Sequence, residues 1–205
     1  MNRIQYMKVV VAVNATLPLG LLLMDLQAGR LGVNPVEYFL RATGVVALII
    51  LLATLAVSPL RKLTGFNELI RIRRMLGLFA FLYASIHLAT YSVLEMGLDL
   101  GDIITDIGNR PFIAVGMAAF LGLVALAITS TNAMIKRLGG KNWARLHMLI
   151  YPIAVLGVIH FWMIVKSDIF YPALFAAAAA VLLGYRVVSK VRKRQIIKPD
   201  STRAN

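Results

Sequence analysis

Two stretches decide the fold of this chain: residues 75–96, MLGLFAFLYASIHLATYSVLEM, and residues 144–165, ARLHMLIYPIAVLGVIHFWMIV. Each is long enough to cross the hydrocarbon core of a bilayer as a helix, which takes about 20 mostly apolar residues. Between them they hold all three histidines, His87, His147 and His160. An ionisable side chain inside a span is costly to bury, so it marks a partner or a function. Imidazole is a common axial ligand of haem iron, and a chain without cysteine offers no thiolate in its place. The residues alone therefore point to a membrane-embedded b-type cytochrome. The lack of cysteine also excludes a disulfide, a thiolate-held iron–sulfur cluster and covalent c-type attachment within these residues.

Working outward, apolar runs of similar length predict six spans, near 7–26, 38–58, 75–96, 112–134, 143–165 and 170–189. The 205 residues are 60% hydrophobic and 15% charged, too little polar surface for a soluble domain of this size. Connections are short and no long internal repeat is apparent. The expected architecture is all-α: a polytopic membrane protein, one six-transmembrane-helix bundle over 1–205 that ends in a basic tail at 190–205. The first span is the weakest, because Asn14, Thr16, Pro18 and Asp25 interrupt it. Arg3 and Lys8 ahead of it resemble a signal peptide, but no small-x-small cleavage site follows, so an uncleaved first span is expected.

Charge orients the bundle. The formal net charge is +13, and 18 of the 22 Lys and Arg fall before Val9, at 61–74, at 136–145 and from Arg186 onward. Only Arg30, Arg41, Arg110 and Lys166 fall on the other side, where 95–110 gathers Glu95, Asp99, Asp102 and Asp106. This alternation follows the positive-inside rule and predicts cytoplasmic termini. It accounts for the basicity without a nucleic-acid partner, since the cations lie between apolar spans rather than in a patch interleaved with aromatics. The acidic 95–110 loop is a candidate docking surface on the outer side.

Depth arranges the histidines. The third and fifth spans run outward from the cytoplasm, and His87 lies about 13 residues, or roughly 20 Å, beyond Arg74. His160 lies about as far beyond His147. His87 and His160 are thus expected at one level of the outer leaflet and His147 near the inner surface. A haem clasped between His87 and His160 is the natural pair. Ala80, Ala84, His87 and Tyr91 share a helical face, and Gly157 precedes His160 by one turn, so small residues are expected to let a porphyrin approach. On a straight helix His147 and His160 would face about 140° apart, although Pro152 between them can change that phase. No fourth histidine exists to oppose His147. Arg73 or Arg74 stands at the corresponding place on the third span; guanidinium is a poor metal ligand, but it can pair with haem propionates. A proton-coupled transporter is the other class that intramembrane His and Arg allow.

The run RIRRMLGL leading to HLATYSVLE, then NRPFIAVG, LAITSTNAM, and LGGKNWARLHMLIY ending in HFWMIVK, resembles the MsrQ (YedZ) family. The resemblance covers about Thr43 to Lys166. Those proteins are the haem-binding membrane subunits of a bacterial protein-methionine-sulfoxide reductase system, within a wider ferric-reductase-like transmembrane group. The resemblance implies an electron relay across the inner membrane to MsrP, a periplasmic molybdopterin enzyme, fed by the quinone pool or a cytoplasmic flavin reductase. It implies haem b, one or two per chain, held by His87, His147 and His160, and associates FMN with the family. Members of the wider group often use two histidine pairs, which three histidines cannot supply. Only a short tail follows Arg186 where oxidases of that group carry FAD and NADPH domains, so electrons are expected from a separate donor. Another b-type cytochrome or ferric-reductase-like carrier is the alternative within this class.

Overall fold

The computed structural model describes residues 1–197. It is all-helical, and six of its helices are long and apolar enough to cross a membrane among the described residues. In chain order these are α1 (Arg3–Gln27), α2 (Pro35–Thr64), α3 (Arg73–Ala89, whose span continues through a π turn to Glu95), α5 (Pro111–Ile128), α8 (Ile150–Ile164) and α9 (Phe170–Ile197). Three shorter helices lie between them: α4 (Leu100–Asn109), α6 (Asn132–Leu138) and α7 (Gly140–Leu146). The last of these continues through a tight 3₁₀ turn, His147–Leu149, into α8, so that Gly140–Ile164 acts as one span. The chain is a multi-pass membrane protein.

Local chemistry sets the ends. Asn2 caps α1 in a reciprocal box with Gln5, and Asn34 caps α2 ahead of Pro35, whose missing N–H needs no partner at a first turn. Gly65 closes α2 at φ 71°, a left-handed conformation that costs a glycine little. The span expected to run to 134 stops at Ile128. Thr129 and Ser130 turn their hydroxyls back onto the carbonyls of Ala125 and Leu126, and Thr131 then caps α6 as a separate helix. Pro152 explains the 3₁₀ turn: without an N–H it cannot bond to Met148, and the preceding turn tightens. The segment expected as an acidic loop is instead the helix α4. Asp99 caps it by accepting from Gly101 and Asp102. Of the tail expected at 190–205, α9 takes up the part to Ile197; residues 198–205 lie outside the described residues.

Two antiparallel pairs make the centre, α2 with α3 and α5 with α8. Leu55, Tyr83 and Ala154 are fully enclosed where these helices meet. Close approach rests on small residues, as packing in lipid requires. A Cβ at Gly122 of α5 would come within 2.7 Å of Ile153 on α8. The outward face is apolar too, with Val13, Leu17, Leu21, Ile49, Leu121 and Val181 exposed, as a lipid-facing surface demands.

The expected interruption of α1 proves to be its anchor. Pro18 lies inside this helix, and the ladder opens there. The Leu19 N–H donates to the Tyr83 hydroxyl (3.1 Å), which itself donates to the Ala15 carbonyl (2.7 Å). One phenol on α3 thus completes the backbone of α1.

Candidate haem site

His87 projects from α3 and His160 from α8, one from each antiparallel pair. Their ring centres are 6.1 Å apart and their planes cross at 87°. This spacing can be tested against a shared metal. With about 2 Å from metal to imidazole nitrogen, as at zinc, and about 1 Å from nitrogen to ring centre, two imidazoles across one metal stand roughly 6 Å apart. The pair fits.

The remaining ring nitrogens are engaged symmetrically. Nδ1 of His87 lies 2.9 Å from the Leu40 carbonyl on α2, and Nδ1 of His160 lies 2.6 Å from the Phe112 carbonyl on α5. A carbonyl only accepts, so each Nδ1 carries the proton and each Nε2 keeps its lone pair. Metal-bound histidines are commonly held in this state, with the second nitrogen donating to a fixed oxygen. Immediately beyond His87, the six residues Thr90–Glu95 widen into a π turn, a feature frequent at functional sites.

The level of His147 is built differently. His147 stands edge-on to Trp143, 3.9 Å between ring centres, and its Nε2 is buried without a hydrogen bond. Trp143 is fixed in turn by donating to the Thr129 carbonyl at 2.8 Å. Arg186 reaches in from α9, giving one hydrogen bond to the Tyr151 hydroxyl and one to the Leu55 carbonyl, each 2.8 Å, while its Nε is buried and unpartnered. Arg73 approaches Tyr151 and Arg186. Arg74 turns away to bond Asn132 at 2.7 Å. Of the two arginines considered from sequence, only Arg73 joins the inner cluster. Among the described residues no carboxylate pairs with either guanidinium there.

Sequence reasoning missed three participants. Arg186 reads as one more positive-inside residue, and only the packing of α9 shows its guanidinium turned into the bundle. Gly44 and Gly116 read as ordinary small residues, yet each faces a histidine ring. Gly157, expected to make room for a porphyrin, faces Leu48 of α2 instead, since a Cβ there would meet that side chain at 3.3 Å.

Above the histidines, Asp106 of α4 accepts from the Tyr91 hydroxyl (2.6 Å) and is ion-paired with Arg110. The Arg110 hydrogen bonds hold the Asp106 carboxyl below its ordinary range, against partial desolvation and with help from Tyr91. The pairing raises Arg110 in return. Asp99 and Asp106 therefore serve α4 itself, and most of the acidic segment is a fixed helix.

Residues 43–158 match the ferric reductase like transmembrane component family. The chain is 54% identical over 172 residues to the "Protein-methionine-sulfoxide reductase heme-binding subunit MsrQ" of Xanthomonas axonopodis pv. citri, covering 84% of this chain and 78% of that one. Proteins of the same name from Ralstonia nicotianae and Rhodospirillum rubrum are each 51% identical, covering 77% and 82% of this chain and 74% and 80% of their own.

Proposed function

Because the chain belongs to the MsrQ family of ferric-reductase-like transmembrane proteins, we propose that it is the haem b subunit that relays electrons across a bacterial inner membrane to an MsrP-like periplasmic molybdopterin enzyme reducing methionine sulfoxide in proteins. One observation carries this reading: two imidazoles on different helices, 6.1 Å apart, each with its Nδ1 committed to a carbonyl.

Haem b, when bound, supplies reversible one-electron carriage. The residues of the chain do the remaining work. His87 and His160 offer Nε2 to one iron, while Leu40 and Phe112 hold their Nδ1 protons. Apolar walls from α2, α3, α5 and α8 keep water away. The distribution of Lys and Arg supports cytoplasmic termini, which puts His147 toward the electron donor and α4 toward the electron acceptor. A quinone or a cytoplasmic flavin reductase is the donor this arrangement suits.

The inner cluster favours a second bound group. A buried, unpartnered His147 Nε2 near Arg73, which in turn neighbours Arg186, offers one ligand atom and two positive charges. That set fits the iron and propionates of an inner haem, with Arg73 pairing to carboxylate rather than metal.

Reduced-minus-oxidised spectra of the purified protein, with haem counted by pyridine haemochrome, test the proposal. Bands of a b-type cytochrome are expected. A colourless preparation that keeps its fold would turn the reading toward transport through the same intramembrane His and Arg.

A further inference from the structure

A helix side chain leans toward the N-terminus and covers the turn before its own Cα. A side chain at position 44 would therefore lie over the carbonyl of residue 40, and one at 116 over the carbonyl of residue 112. Both positions are glycine, and both carbonyls are the ones that histidines use. A Cβ at Gly44 would lie 3.0 Å from Cε1 and Nδ1 of His87; at Gly116 it would lie 2.7 Å from the same atoms of His160. At Gly116 the methyl group forces the ring to move; at Gly44 the ring would have to give by a few tenths of an ångström.

The arrangement occurs twice. Leu40, Gly44 and His87 stand on α2 and α3 as Phe112, Gly116 and His160 stand on α5 and α8. Acceptor and histidine are 47 residues apart in the first set and 48 in the second. Aligning Gly44 with Gly116 also superposes Ala42 on Ala114, Ala47 on Ala119, Leu51 on Leu123 and Ala53 on Ala125. The two antiparallel pairs thus present the same acceptor, glycine and histidine in the same order.

We infer that Gly44 and Gly116 are positioning residues: each uncovers one helix carbonyl, seats one imidazole against bare backbone, and so fixes both the ligating nitrogen and the crossed orientation of the two rings. This inference rests on the proposed clasping of haem by His87 and His160. In a helix the Leu40 and Phe112 carbonyls each accept one backbone N–H and keep a lone pair for the histidine. The Leu40 carbonyl also takes the longer branch (3.0 Å) of the Thr43 hydroxyl, whose shorter bond (2.8 Å) goes to Phe39. A strongly held Nδ1–H makes the ring more electron-donating toward iron. Perpendicular axial rings give a low-spin ferric EPR signal of unusually large gmax.

The test compares Gly44→Ala, Gly116→Ala and, as control, Gly184→Ala, whose Cβ would meet nothing within 4 Å. The wild type is expected to show a large-gmax signal, and the control to match it. Either seat substitution is expected to move gmax downward and to lose at least half of the outer haem, Gly116→Ala the more. Wild-type gmax and haem content in both seat variants would overturn the inference while leaving the haem reading intact. A wild type without any bis-imidazole signal would overturn the haem reading itself. If the seat variants fail to accumulate, proton ENDOR of the wild type decides. Two exchangeable, strongly hydrogen-bonded Nδ1 protons are expected, and their absence overturns the seats.

Discussion

At the outer level His87 and His160 each give an Nδ1–H to a helix carbonyl, and each ring rests against a glycine. At the level of His147 a buried Nε2 has nothing to bond, and Arg73 is the charged group near it. The outer level is complete as a ligand pair from protein atoms alone. At the level of His147 the unmet polar groups and unopposed charge are costly to hold in a bilayer, a cost that the proposed second group would relieve. The same bundle thus sets one histidine pair by geometry and leaves the other histidine among unmet polar groups.

Breaking the outer level gives the largest effect. His87→Ala or His160→Ala is expected to abolish the outer haem entirely, read as loss of its difference bands and large-gmax EPR signal. His147→Ala comes next: about half of the pyridine-haemochrome pigment is expected to go while the outer signal persists. Unchanged pigment would remove the inner group. Tyr83→Phe should leave the spectrum intact but destabilise the protein by about 2 kcal/mol, since it strands two backbone groups in α1. Thermal unfolding in detergent would report this as a lowered midpoint.

The smallest effect concerns the cover of the outer level. The Asp106 carboxyl is held below its ordinary range, so its contribution to anchoring α4 is complete above that range. It is lost as pH falls through the lower, folded value. Amide exchange in α4, corrected for intrinsic rates, is therefore expected to stay slow at neutral pH and to quicken in acid. Asp106→Asn should show the fast exchange already at neutral pH.

Much of this was legible in sequence because bilayer thickness and helical rise convert residue number into depth. That arithmetic brought His87 and His160 to one level and kept His147 apart. What escaped it depends on rotation and on contacts between distant helices. Gly157 and Gly44 carry identical chemistry, yet one faces Leu48 and the other an imidazole, and no count along a single helix separates them. By sequence Arg186 is one more positive-inside cation, whereas α9 turns its guanidinium toward Tyr151 and Leu55. The end of α5 at Ile128 was hidden for another reason, because the hydropathy of 112–134 conceals two hydroxyls that turn back on the ladder.

The phenol of Tyr83 also bears on how the bundle comes into being. The first helix cannot finish its own ladder around Pro18; the missing link arrives only when α3 enters the membrane. Emerging from the insertion machinery, α1 must wait with an open seam, and the helix that closes it is the one that brings His87. Sealing the N-terminal segment and erecting the first wall of the haem cleft are therefore one step in biogenesis.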